Sequence, residues 1–588
     1  MSTLAKPLVP DWAGARRKCS LLPWAKELTA ALEKDAIAWS KRNLIPSPSE
    51  PSGYTHHYFC QECGEPLVFN PDKPHEHLAR ACNRIYSGKD YDRAWFSLIH
   101  NTNVLHMERC AVLLNLGVQT DLARQEILKF AREYPARYPN YPISDFRHLP
   151  GRMMPQSLDE AVWCGSFLRA LRWSGLQGDL DASQIEAINV MATMVVDLMR
   201  TSIMGKSSIG NITCWMLACM AECALWLDDA ELMEWCWASP VGIERQIRFG
   251  LNADGLWFEG STHYHYYALA AIVSYFVAAG ADHVPSVLKA KLEAAFTAPL
   301  PLAYSDGRLP AYNDCWPDLR VTDNADLYEV AAALLQRDRI CSALSAIYEK
   351  SSFSKPRTFS RSFNPLLGYS NTNDLTARAS VGALLFGPDT LSRAAAPSGS
   401  SLLQYSGIAV LRNEHVRLAL RFGPHGGCHD HLDKLSVDVE TSAGWQSLDV
   451  GTSGYGAEIT HAWHRSAAPH NTVMISGNRQ EGCAGTLTHW SDTSIMAQAD
   501  AAYPGVMLRR TLSLESDAWV DTFHIHSEVA QRIDWIFHGD GRFLPDSEAA
   551  KAEDLAFTEE DGSGLARLSN AKRLRAKPSR VRGRWSSG

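Results

Sequence analysis

Two periodicities divide this chain. Between Tyr91 and about Lys350, apolar residues recur at helical spacing: Leu158, Val162, Leu168 and Leu171, then Ile185, Ile188, Met191, Val195 and Met199. Short polar breaks at L-Q-G-D, L-D-D and A-A-G-A separate the apolar stretches. Many successive helices without strands predict a helical array or toroid rather than a bundle of four. An amphipathic helix over about residues 24–42 and a Pro/Ser loop (Ile45–Ser52) precede it. A Ser/Pro/Asn-rich passage, Ser351–Asn373, reads as a linker. After it the period becomes two. Val416, Leu418, Leu420 and Phe422 alternate with Arg417, Ala419 and Arg421, behind a turn at Asn413-Glu414. Comparable strands are predicted at Thr472–Ser476, Val506–Leu514 and Trp519–His526, which together make an antiparallel sandwich. The fold class is α+β and multidomain. Its expected segments are 1–52 (helix and loop), 53–90 (a small Cys/His knuckle), 91–360 (helical toroid), 361–570 (β-sandwich) and 571–588, a basic, aperiodic tail expected to be disordered.

Composition narrows the function. At 588 residues, two or three domains are expected. Hydrophobic content of 46% with 21% charged residues describes a soluble globular chain. A net charge of −8 offers no basic surplus for nucleic acid, although an anionic substrate needs only a locally basic cleft. The N-terminus lacks the basic start and apolar core of a signal peptide, and no apolar run is expected to span a membrane. Fourteen cysteines are scattered without a framework, and Cys214, Cys219 and Cys223 fall inside an apolar helix. They read as reduced core thiols, which suits the cytoplasm.

The chemistry gathers in a few stretches. Phe422–Lys434 reads F-G-P-H-G-G-C-H-D-H-L-D-K, placing His425, His429 and His431 among glycines on a loop leading into a strand. Asp449 and His470 follow. A carboxylate and spaced imidazoles are what a zinc site asks for, while a merely solvated histidine loop is the plainer alternative. In D-G-L-W-F-E-G-S-T-H-Y-H-Y-Y, residues Glu259, His263, Tyr264, His265 and Tyr267 crowd a turn that opens a helix. So many phenols and imidazoles there fit a sugar-binding and proton-transfer surface. In G-N-I-T-C-W, Asn211 opens a long apolar helix and, taken alone, reads as its N-cap. Upstream, Cys60 and Cys63 form a C-x-x-C pair that Cys82, with His75 or His77, would complete as a zinc knuckle. Ala79 stands where a second pairing cysteine would be, so a degenerate, metal-free knuckle is the competing reading.

The motifs D-G-L-W-F-E-G-S-T-H-Y-H-Y-Y, G-P-H-G-G-C-H-D-H-L-D-K-L-S, D-V-G-T-S-G-Y-G and W-H-R-S-A-A-P-H-N-T-V resemble those of the heparinase II/III-like polysaccharide lyases, a group that includes alginate and oligoalginate lyases. The resemblance runs from about Tyr58 to His526 and implies an N-terminal (α/α) toroid joined to a C-terminal antiparallel β-sandwich. It implies β-elimination on a uronic-acid-containing polysaccharide. That reaction needs the substrate carboxylate neutralised as an enolate develops, a base for the α-proton and an acid for the leaving oxygen.

Carried over motif by motif, Asn211 would bond the carboxylate, and Tyr264 would act as acid and also as base. His429, with His425 nearby, would be the base or orient the sugar. His431, Asp449 and His470 would hold a structural zinc. Gln156, Glu160, Glu259, His265, Tyr455 and Arg465 are candidates for lining the substrate site, and Tyr267 is the alternative phenol. The implied partner is an anionic uronate oligosaccharide or polysaccharide, with no nucleic acid and no membrane; oligomeric state is left open. Two departures stand out: Ile212 follows the asparagine where many relatives have histidine, and His464 stands where relatives often have tyrosine. Two other classes compete. One is a glycosidase using paired carboxylates such as Glu160 and Glu259; the other is an inactive carbohydrate-binding protein.

Overall fold

The computed structural model describes residues 6–204, 209–335, 338–349, 378–391, 398–516 and 518–545, with short stretches at 553–555, 564–570, 572–573 and 583–586. The passage Ser351–Asn373 lies outside the described residues. The chain divides into two units, the first comprising Met1–Leu251, His265–Thr297 and Val321–Ala395. The second comprises Asn252–Tyr264, Ala298–Arg320 and Ala396–Gly588. Two excursions from the helical half, 252–264 and 298–320, therefore fold with the strands. The first excursion ends inside the helix Thr262–Ala279, between Tyr264 and His265.

The first unit is a helical array in which successive helices pair. Lys89–Leu116 packs on Thr120–Arg137 and on Ser157–Ser174, which in turn packs on Asn211–Leu227. Asp90 and Asp92 lie in the first turn of Lys89–Leu116, where they favour the positive end of its dipole. Gly117 (φ 78°) ends it, letting the Val118 N–H reach the Leu113 carbonyl at 2.9 Å. Asn211–Leu227 is buried on almost every side, as its all-round apolar sequence requires.

Among the described residues one helix, Ala182–Met204, is long and apolar enough by length and composition to cross a membrane, which corrects the expectation that no run would be. Its buried residues are Ile188, Met191, Ala192, Val195, Val196, Met199 and Ile203, a single stripe facing helices Thr120–Arg137, Ser157–Ser174 and Asn211–Leu227. Ile185, counted in that stripe from spacing, is 38% exposed.

Among the described residues the second unit holds two larger antiparallel sheets. One runs Ser401–Leu403, Ile408–Arg412, Val416–Arg421, Val437–Thr441 and Gln446–Ser447; the other runs Trp519–Ser527, Val506–Leu514, Ser494–Tyr503 and Thr486–Ser491. Leu418, Leu420, Val437 and Val439 from the first meet Ile495, Ala497, Leu508 and Leu512 from the second in one core. Val416–Arg421 departs from its period-two pattern because both of its faces are buried. Leu302 and Tyr312, from the excursion 298–320, join Ala419 in a second cluster, and Arg417 donates to the Leu302 carbonyl at 2.6 Å. In the tail expected to be disordered, Gly583–Ser586 pairs with Arg542–Pro545, and Lys572–Arg573 pairs with Glu553–Asp554.

Candidate active site

The second unit brings two phenols, an imidazole, a carboxylate and a guanidinium together from three separate segments. Tyr264 lies at the start of its helix, with its ring stacked on His429 at 3.6 Å between centroids. Its hydroxyl is 2.6 Å from the Tyr455 hydroxyl. Tyr455 in turn lies 2.7 Å from His429 Nδ1 and donates to Asp314 Oδ2 at 3.0 Å. Arg465, which follows the π-turn Thr460–His464, pairs with the same Asp314 carboxylate. Asp314 is 1% exposed. Burial, its largest influence, would raise it, but bonds from His429 and His431 and the Arg465 charge hold it far below the usual carboxylate range. For His429, burial lowers the pKa, yet bonds to Asp314 and Cys428 and the charge of Glu259 raise it to about 9. Glu259 stands 4.0 Å from His429 Nε2 and accepts from Trp257 Nε1 at 2.9 Å.

A second cluster adjoins this one through Asp314. Ligand atoms of His431, Asp449 and His470 all lie within 4.8 Å of one another, and all three residues are buried. His431 Nε2 is 3.2 Å from Asp314 Oδ1, while its Nδ1 is buried without a hydrogen-bond partner. His470 Nε2 donates to the His464 carbonyl at 2.9 Å, which leaves Nδ1 facing Asp449 Oδ2 at 3.2 Å. Each imidazole is thus held through Nε2, by the Asp314 carboxylate or the His464 carbonyl, the carboxylate-or-carbonyl bracing found behind metal-binding histidines. Two nitrogens and a carboxylate with an orphaned buried donor fit a zinc ion. Arg421 partly competes for this carboxylate at 3.8 Å, but its main partners are Asp433 and Asn313.

Residues 395–580 match the family described as Heparinase II/III-like, C-terminal. The match covers the strand-rich part of the chain, which is similar to a heparinase II/III-like domain. A comparison with curated proteins finds no match. Among solved structures the chain is similar to a heparinase III (TM-score 0.58, 14% identity, covering 97% of this chain and 89% of that one). It is similar also to a heparan sulfate lyase from Pedobacter heparinus (0.50, 14%, 89% and 77%). A third is the Streptomyces coelicolor chondroitin AC lyase in complex with chondroitin sulphate (0.53, 12%, 87% and 69%). These likenesses bear out the expected architecture of helical toroid and antiparallel β-sandwich.

The matched segment carries His425, His429, His431, Asp449, Tyr455, Arg465 and His470, whereas Glu259, Tyr264 and Asp314 come from the two excursions. His425 stands to one side, paired with Asp430 at 2.7 Å. Asp314 and its neighbour Asn313, which accepts from Arg421 at 2.6 Å, were not anticipated. Their only sequence signal is the loop P-A-Y-N-D-C-W, an Asn-Asp pair between proline and tryptophan in an otherwise apolar helical region.

The remaining candidates belong to the first unit. Asn211 is buried and is the first residue of its helix; Gly210 occupies the cap position, so the N-cap reading is corrected. Tyr267 packs on Trp215 at 5.2 Å, and burial pushes its phenol far up. His265, expected to face sugar, is instead buried against the Ala295 carbonyl at 3.0 Å, and burial lowers it to about 4. Glu160 is spent on the backbone N–H groups of Arg152 and Met154, both at 2.9 Å, holding the loop ahead of helix Ser157–Ser174. Gln156 caps that helix by position but not through its side chain.

Proposed function

We propose that the chain is a polysaccharide lyase, a carbon–oxygen lyase that cleaves a uronate-containing polysaccharide by β-elimination. The observation that carries this reading is the pair of phenols 2.6 Å apart, backed by an imidazole and a buried carboxylate. Elimination needs a base and an acid within reach of neighbouring atoms of one sugar junction, and two hydrogen-bonded phenols can exchange a proton between those roles. Tyr264 takes the α-proton and returns a proton to the leaving glycosidic oxygen, with Tyr455 as its relay. His429, stacked under Tyr264 and bonded to Tyr455 and Asp314, orients the phenols. Arg465 supplies positive charge on this face, and Asn211 is assigned by its motif to the substrate carboxylate. Glu259 and His425 border the sugar.

His431, Asp449 and His470 would hold zinc, which, when bound, supplies a rigid cross-link between the loop bearing His429 and the strand ends bearing Asp449 and His470. The heparinase III, heparan sulfate lyase and chondroitin AC lyase to which this chain is similar favour a glycosaminoglycan of heparan or chondroitin type over alginate. No disulfide joins any of the fourteen cysteines, which supports a reducing compartment. The glycosidase reading loses one of its carboxylates, since Glu160 is committed to loop amides.

The test is absorbance of the unsaturated uronate end while purified protein meets heparan, chondroitin, hyaluronan and alginate oligosaccharides. A rise names both reaction and substrate class. Reducing ends appearing without that absorbance would mean hydrolysis. Binding without turnover, unchanged in Tyr264→Phe, would mean a binding protein.

A further inference from the structure

Residues 58–86 fold as two matching turns in the first unit. In one, Cys60 and Cys63 are followed by Gly64 at φ 69°; in the other, Ala79 and Cys82 are followed by Asn83 at φ 53°. Glycine and asparagine are the residues that most readily adopt this left-handed conformation. Short antiparallel pairings hold the turns together: Phe59 with Pro66, Val68 with Leu78, and His77–Ala79 with Arg84–Tyr86. Cys60 and Ala79, which occupy equivalent places, are both fully buried in one small cluster against which Cys82 packs.

The sulfurs converge. Cys60 Sγ is 3.5 Å and Cys63 Sγ 3.9 Å from Cys82 Sγ, and all three lie within 4.8 Å of one another. A disulfide would require about 2.05 Å. Zinc–sulfur bonds of about 2.3 Å in a tetrahedron put sulfurs roughly 3.8 Å apart, which is the spacing observed. The Cys63 N–H also points at Cys60 Sγ (3.4 Å), a contact that favours sulfur as an electron-rich acceptor. The histidines do not complete the set. His77 is committed at both nitrogens, to Tyr58 at 2.8 Å and Asp92 at 2.9 Å, and His75 is held by Asp92 at 2.7 Å.

We propose that Cys60, Cys63 and Cys82 bind one divalent cation of the zinc class, with a solvent molecule in the fourth position that Ala79 leaves vacant. Exposed Cys63 gives solvent access to that position. The ion ties two turns otherwise joined by the Val68–Leu78 pairing, the Tyr58–His77 contact and a small apolar cluster, so its role is structural. It is separate from the cation assigned to His431, Asp449 and His470, whose ligands contain no sulfur.

The experiment is cobalt substitution of the full-length protein, read by the near-ultraviolet thiolate-to-cobalt charge-transfer band, together with zinc content per chain. The expected result is a band in the wild type that Cys63→Ser abolishes with loss of one equivalent of metal, and that His431→Ala retains. Ala79→Cys should tighten zinc binding at least tenfold by supplying the missing thiolate. A folded wild-type protein with no such band overturns the proposal, as does a band that survives Cys63→Ser. A disulfide among the three cysteines in protein purified without oxidant overturns it equally.

Discussion

At the scale of the residue, the phenol pair makes the sharpest prediction. Tyr264→Phe removes one hydroxyl and keeps the ring stacked on His429, so kcat should fall by about 10²–10⁴, the usual worth of a positioned acid–base group, while the thermal midpoint stays close to wild type. Product absorbance and a melting curve on the same sample check both halves. Asp159, which belongs to neither proposed cation site, offers a pH test. Burial, reinforced by the charge of adjacent Glu160, raises its carboxyl to about 7, and its Oδ2 is buried without a hydrogen-bond partner. A carboxyl raised on folding holds its proton where the unfolded chain has lost it. Its contribution to stability is therefore greatest below the unfolded value of 3.8 and is lost as pH rises toward about 7. Asp159→Asn should then stabilise the protein at pH 8, by about 1 kcal/mol once its partial exposure is allowed for, and should do little near pH 4. A gain of equal size at both pH values would contradict the carboxyl's assigned state.

At the scale of the element, legibility tracked how local the cause was. Val506–Leu514 folds as a strand over the residues its alternation predicted, because one face meets the core and the other does not. The strand Val416–Arg421 has the same alternation in its sequence but not in its burial, and the burial of Arg417 and Arg421 could not be read from it. What covers them comes from the excursion 298–320, far away in sequence. Asp314 was missed for the same reason: its partners His429, Tyr455 and Arg465 lie 115, 141 and 151 residues further along. Tyr264 stands out in the sequence because its motif is contiguous, whereas its neighbour His265 lies buried because adjacent helical positions face different surroundings. The loop bearing His431 makes its own prediction. His431→Ala should lower metal content and the thermal midpoint more than it lowers turnover of whatever protein remains folded, since ligand loss and folding are coupled. Full occupancy of that site in the variant, measured alongside Cys63→Ser to separate the two cations, would remove the zinc assignment.

At the scale of the whole molecule, the helical unit is closed on itself by a buried cation. Lys18, 3% exposed, donates from Nζ to the carbonyls of Ala383 and Leu384 at 2.9 and 3.0 Å and also to Gly387. These are carbonyls at the end of helix Val381–Leu385, so an N-terminal helix caps the last helix described in this unit. Lys18→Met should strand these acceptors and cost about 1–3 kcal/mol, visible as a lower midpoint with unchanged kinetic constants in the folded fraction. Asp314 carries a consequence of a different kind. Oδ1 serves His431, Oδ2 serves Tyr455 and His429, and Arg465 spans both oxygens, so a single carboxylate is shared between the proposed cation site and the proposed chemistry. Two ligands that draw on one shared group are thermodynamically linked, and linkage is reciprocal. Whatever factor zinc gives to oligosaccharide affinity, a bound oligosaccharide must give back to zinc, and slower chelation of the metal under saturating sugar would report the same coupling from its other end.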